Sequence, residues 1–277
     1  MKNLLFFLSV LYVANISAQN NYVKLYTGQA YYQGDLSPSA VKFSFSPGQF
    51  TYGIGYSRQI NDWFNLGVDV MRGEMSASDE DSINKGRKQR NLSFYSDFME
   101  YSLTTEINLV ELLIDTSLYG VDIYYKTGIG LLNIDPKTLL NGQEYILRDY
   151  STEGQGLPGG GEKYGTNHIV IPFGISFRFD LTDQISIGVD ALSRWTFTDY
   201  LDDVSGSYPD LELLESNLGR ESVMLSYRIG NLDQEDYEGV QGGIRGNPSN
   251  NDWYTYIGVS FQYKWSNQEK SSQEKVN

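Results

Sequence analysis

Only a few side chains in this sequence have types and spacings that could do chemistry. His168 is the single histidine. An imidazole beside a serine or carboxylate can serve as a general base, as in barrels that modify lipids. No serine or acid stands at a suggestive spacing from His168, so the position reads as a rim residue. The run TEGQGLPGGGEKYG at 152–165 has the glycines of a phosphate cradle. It lacks the Lys-Ser/Thr of a P-loop and no helix signal follows it, so it reads as a flexible surface loop. Asp199, Asp202 and Asp203 form a third group. Clustered carboxylates can ligate calcium, but the alternating ligand spacing of an EF-hand loop is absent.

The composition removes further chemistry. There is no cysteine, hence no thiol catalysis, no disulfide framework and no thiolate-bound zinc or iron–sulfur centre. Acids outnumber Lys and Arg 35 to 21, a net charge of −14, which argues against wrapping the phosphates of a nucleic acid. The sequence therefore implies no enzyme, no cofactor, no nucleic acid and no small-molecule substrate. What stands out is 28 glycines and 22 tyrosines, types that suit strands which bend and carry aromatic belts.

The elements that would position these residues are strands. Apolar and polar residues alternate with period two over most of the chain, where a helix would space them by three and four. Near 253–265, Trp253, Ile257, Val259, Phe261, Tyr263 and Trp265 share one face, with Tyr254, Tyr256, Gly258, Ser260, Gln262 and Lys264 on the other. The same alternation runs through 185–197, 169–180, 121–131, 99–107 and 64–70, and more weakly through about 50–60 and 22–32. That makes eight strands of the length a tilted bilayer crossing needs. Asn61-Asp62 and Thr182-Asp183-Gln184 are tight connections, and 108–119 is moderate. The segments near 33–49, 75–92, 133–166 and 199–251 are long.

The expected fold class is all-β: an eight-stranded antiparallel transmembrane β-barrel with short periplasmic turns and long extracellular loops. A water-soluble barrel of the lipocalin type would use the same alternation with the apolar face inward. The aromatic residues decide for lipid. Trp63, Tyr101, Tyr125, Trp195, Phe197, Trp253 and Trp265 recur towards strand ends on the apolar face, as interfacial girdles do. The opposite face would then line a filled lumen. Its polar network is assigned to Asp69, Glu100, Glu106, Asp122, Lys126, Arg178, Asp190, Arg194 and Lys264, with Lys24 beside them. An eight-stranded lumen is just filled by side chains, so the barrel is expected to be plugged.

Residues 1–18 read as a signal peptide: Lys2, an apolar run from Leu4 to Ala14, and a small residue at Ala18. The barrel then occupies 19–265, and 266–277 form a polar periplasmic tail. The 199–251 insertion holds eleven acids against three arginines and reads as a solvated acidic loop or a docking surface. Within it Leu211, Leu213, Leu214, Leu218, Val223 and Leu225 could form one or two short amphipathic helices. The 108–119 connection carries Leu109, Leu112 and Leu113, which suit packing on the barrel rim or contact with a partner.

Several strings, in this order, carry a resemblance: RNLSF (90–94) into EYSLTTEINL (100–109), TEGQG (152–156), IPFGISFRF (171–179), TFTDYLDDVSGSY (196–208) and RGNPSNNDWYTYIGV (245–259). They resemble the PorG-like outer-membrane β-barrel family of Bacteroidota, a component of the type IX secretion system, over nearly the whole mature chain. The resemblance implies an integral outer-membrane protein in contact with outer-membrane lipid. It also implies association with a periplasmic ring made of a lipoprotein and its soluble partner. The competing expectation is a structural or surface-binding outer-membrane barrel that uses its acidic extracellular loops.

Overall fold

Period-two alternation becomes strands whose two faces meet different surroundings. The computed structural model describes residues 20–38, 46–114, 120–229, 237 and 239–266. The expected signal peptide and residues 267–277 of the expected tail lie outside the described residues, as do Asp233, Glu235, Asp236 and Glu238. The barrel strands are β1 (Asn21–Gln33), β2 (Gln49–Asn61), β3 (Phe64–Ser78), β4 (Ser93–Asn108), β5 (Val121–Ile134), β8 (Asn167–Asp180), β9 (Ile185–Thr196) and β10 (Trp253–Trp265). Each pairs antiparallel with its neighbours, β10 with β1 and β3 with β4, so the sheet closes without an edge. A small hairpin, β6 (Lys137–Leu140) and β7 (Gln143–Ile146), attaches to β4 through Tyr95 and Lys137.

One end carries the tight turns after β2 and β8, together with α2 (Leu109–Ile114). The other end carries the long connections, with α1 (Lys85–Arg90), α3 (Leu211–Leu218) and α4 (Arg220–Ser226) among them. Three boundaries differ from the sequence reading. β3 runs to Ser78 and β4 begins at Ser93, so the connection expected at 75–92 shrinks to 79–92. The 133–166 connection contains a hairpin. Tyr101, expected near a strand end, sits in mid-β4.

The outward side chains explain Tyr101. On β3 they are Phe64, Leu66, Val68 and Val70, then Arg72 and Glu74; on β4 they are Ile107, Leu103, Tyr101 and Met99, then Asp97. Tyr101 lies opposite Val70 in register. It therefore marks the upper edge of the apolar belt, and the charged top of the β3–β4 hairpin projects beyond it. Outward charge at mid-belt would be expensive in hydrocarbon.

The belt is continuous around the barrel: Leu25 is 54% exposed and Ile129 55%, with Ile54, Val68, Leu103, Phe177, Val189 and Phe261 completing it. So broad an exposed apolar surface matches lipid rather than water. The reverse face is buried. All ten glycines in the barrel strands (28, 53, 55, 67, 73, 128, 130, 174, 188 and 258) lie on it. Gly28 and Gly258 face each other in register, and the ring of Tyr256 lies against both, where a Cβ would collide. Glycine makes room on the crowded inner face; large apolar residues fill the outer one.

Val68 and Leu103 are partners in the middle of the belt. Leu103→Arg is expected to lower the unfolding free energy by about 2–4 kcal/mol, read by tryptophan fluorescence during denaturant titration in lipid vesicles. Arg at Asp97, above the belt, should cost little.

Candidate functional site

Inside the barrel, two charged layers span the lumen. In the lower layer Lys126 sits 2.7 Å from Asp69 and 3.5 Å from Glu106. Glu106 also pairs with Lys24, and with Arg178 at 3.3 Å. Tyr26 donates its hydroxyl to Asp69 at 3.0 Å and accepts from Lys126 at 2.9 Å. The Arg178 guanidinium lies over the Tyr124 ring at 3.8 Å, a cation–π contact. In the upper layer the Arg194 Nε donates to Glu100 at 2.9 Å, and Tyr254 donates to the same carboxylate. Strands far apart in sequence are tied directly across the interior.

Thus Asp69, Glu100, Glu106, Lys126, Arg178 and Arg194 come together in ion pairs, with Lys24. Asp190 is buried on the lumen face opposite Gly258 and Ser176 but is outside the ion pairs among the described residues. Asp122 and Lys264 sit half-buried near the short-turn end, Asp122 in register with Arg178 and Lys264 with Tyr22. His168 stands half-buried on β8 opposite Leu132.

At the short-turn end, Asn108 caps α2: its Oδ1 accepts from the amides of Val110 and Glu111. The cap buries Val110 and leaves Leu112 and Leu113 exposed, Leu113 at 76%. Leu109 is half-buried.

The long-loop end is a folded cap, which corrects two expectations. The 199–251 segment is not simply solvated: Asp199, Asp202 and Asp203 are buried. The glycine-rich run is not a free loop either, because Thr152 and Gln155 within it and Ser151 just before it are buried. Two arginines explain both. Arg245, 2% exposed, donates Nη1 to Glu153 at 2.9 Å and Nη2 to Asp203 at 3.2 Å. Glu153 in turn accepts from the amides of Ser205 and Gly206. Asp203, at a left-handed φ of 68°, also accepts from Tyr164 at 2.6 Å and from Thr152. Arg90 grips Asp79 with two contacts of 2.7 Å and donates to the carbonyls of Asp35 and Arg245. All the long connections are thereby stitched together.

Burial pushes several of these acids up. Asp199 is raised to about 8, with Asp35 and Asp202 adding repulsion. Asp203 rises only to about 6, because Arg245 and its hydrogen bonds oppose the desolvation. Sequence reasoning missed the roles of Arg90, Arg245, Glu153, Tyr32 and Asp252. The available signal was the scarcity of loop arginines among so many acids, which marks each as a candidate partner without saying which is buried.

Removing one partner of a buried pair leaves the other charge stranded. Arg194→Met should therefore destabilise the barrel by about 3–5 kcal/mol, and adding Glu100→Gln should recover part of the loss in the same vesicle titration.

Chains of known structure resemble this one in fold, at low identity. Neisserial surface protein A shares 10% identity with a TM-score of 0.41, covering 88% of this chain and 97% of its own. The attachment invasion locus protein Ail of Yersinia pestis shares 9% at 0.40, covering 90% and 99%. A major outer membrane protein of Thermus thermophilus shares 12% at 0.40, covering 90% and 100%. No curated protein matches the chain. Residues 1–244 match the family model described as "Domain of unknown function (DUF6089)", and the chain belongs to that family.

Proposed function

We propose that the chain is exported by cleavage after Ala18 and inserted into the bacterial outer membrane. There it acts as a closed anchor, neither pore nor enzyme. The lumen carries this reading: ion pairs cross it in two layers and glycines bring the strands' contents into contact, so folded cargo has no path through. An anchor works through its ends. The short-turn end faces the periplasm and the cap faces outward.

The resemblance to the PorG-like barrels of Bacteroidota supports a more specific role, as a non-enzymatic component of the type IX secretion machinery. In that role the barrel contacts the periplasmic ring lipoprotein and its soluble partner, and lipid holds it in place. Leu109, Leu112 and Leu113 on α2 are the proposed contact, together with the tail. The exposure of Leu112 and Leu113 beside the buried Val110 supports it, since an apolar face held at the barrel edge by a capped helix is poised for a partner.

A deletion strain is expected to lose secreted proteins that carry a C-terminal sorting domain, as read by mass spectrometry of the culture medium; an unchanged secretome would remove the type IX role. Replacing Leu112 and Leu113 with Gln should leave insertion intact and reduce co-purification of the ring proteins several-fold. Undiminished recovery would exclude α2 as the contact. One observation favours the second reading, a surface-binding barrel: the largest loop folds into a buried core instead of trailing in solvent. Under that reading, deleting the loop abolishes surface binding and spares secretion.

A further inference from the structure

Two carboxyl groups and one phenol meet above the lumen. Tyr32 Oη lies 2.6 Å from Asp202 Oδ2 and 2.9 Å from Asp252 Oδ1. All three residues are at most 1% exposed. The remaining oxygen of each carboxyl is already served: Asp202 Oδ1 accepts from the Val204 amide at 2.8 Å, and Asp252 Oδ2 from the Leu201 amide at 2.9 Å.

A phenol has one hydrogen. It can donate to only one of the two carboxyls. The other contact would set lone pair against lone pair unless it holds a hydrogen of its own. The charged surroundings do not supply one. Arg90 directs four hydrogen bonds to Asp79 and to the carbonyls of Asp35 and Arg245, none of them to the phenol or its two carboxyls. Arg245 is held by Glu153 and Asp203. The other titratable groups that act on the pair, Asp35 and Asp199, are acids.

We propose that the Asp202–Tyr32–Asp252 hub retains one proton at neutral pH and that this proton latches the cap. Asp252 as the carboxylic acid donates to Tyr32 Oη, and the Tyr32 hydroxyl donates to the Asp202 carboxylate. When base removes the proton, two carboxylates face the same phenol oxygen. Asp202 follows β9, Asp252 precedes β10 and Tyr32 is the last residue but one of β1, so the hub closes both ends of the largest loop onto the first strand. Losing the proton loosens all three.

The electrostatics run the same way. Burial raises both carboxyls above the ordinary 3.8; Asp35 adds to it for Asp202 against a weaker opposing pull from Arg90, and Asp202 and Asp199 add to it for Asp252. A raised acid favours the closed state in full below its ordinary value. That contribution is lost as pH climbs through the raised one. The latch therefore weakens toward alkaline pH.

The test is hydrogen exchange of the full chain in lipid nanodiscs, corrected for intrinsic exchange rates. Between about pH 6 and about pH 9, protection at 199–206 and 251–253 should fall about tenfold while the barrel strands hold. Asp252→Asn mimics the neutral acid, its amide donating to Tyr32 and its carbonyl accepting from Leu201. It should keep most of the protection of those segments across the range and remove one carboxylic-acid carbonyl band from the infrared spectrum at neutral pH. Asp199, itself raised to about 8, adds a smaller share, so Asp199→Asn should reduce the pH dependence and leave most of it in place. Flat protection in the parent, unchanged pH dependence in Asp252→Asn, or loss of it in Asp199→Asn would each overturn the proposal. Should Asp252→Asn fail to insert, Asp202→Asn carries the same expectation.

Discussion

Hydrocarbon offers no hydrogen bonds to an unpaired backbone amide, and the rest of this molecule answers to that constraint. A sheet in lipid must close, so β3 finds β4 and β10 returns to β1. Closure with eight strands leaves a narrow interior that must hold whatever the outer face cannot. The charged strand residues at mid-belt therefore point inward, and they need partners there, because an isolated charge in a dry interior is costly. Glu106 shows the solution: three cations converge on it from β1, β5 and β8. Closure of the sheet and pairing of the charges are two aspects of one requirement.

Much of this was legible in the chain. Strand period, strand count and the turn asymmetry follow from local alternation, because side chains on a strand point to opposite faces by geometry alone. That Asp69, Glu100, Glu106, Lys126, Arg178 and Arg194 share the inward face follows from the same alternation. Which acid meets which base does not. Lys126 reaches Asp69 and Glu106 on other strands, and that depends on stagger around the barrel, which periodicity does not encode. Strand length was hidden too: Tyr101 reads as a girdle residue at a strand end, yet β4 runs on from it to Ser93, and the outward charges of Arg72, Glu74 and Asp97 lie on that extension.

The loops were the least legible part. An acid-rich insertion with three arginines reads as solvated when its composition is averaged. In the structure those arginines do unequal work. Arg245 is wholly buried between Glu153 and Asp203, whereas Arg220 stays near the surface beside Glu215. Buried arginine suits the role because its planar fork serves several acceptors at once, and the backbone carbonyls of Ser226 and Asp203 take part. Such contacts join residues far apart in sequence and leave no periodic trace.

Cap and barrel are also one packing unit. A single apolar cluster takes Ala30, Phe94, Phe98, Leu132, Val170 and Tyr254 from the strands, and Leu36, Leu92, Leu147, Leu201, Val204 and Leu225 from the loops. The Tyr32 and Phe94 rings meet edge to face with centroids 4.9 Å apart. This dry layer lies between the lumen charges below and the arginine-stitched acids above. It excludes water from both, and exclusion strengthens each ion pair by lowering the local dielectric. Tyr254 touches both systems, with its ring in the cluster and its hydroxyl on Glu100. The loops therefore borrow their core from the barrel mouth. A change that opens the cap must also wet the upper lumen, which couples the outer surface of the protein to the charges that hold its strands together.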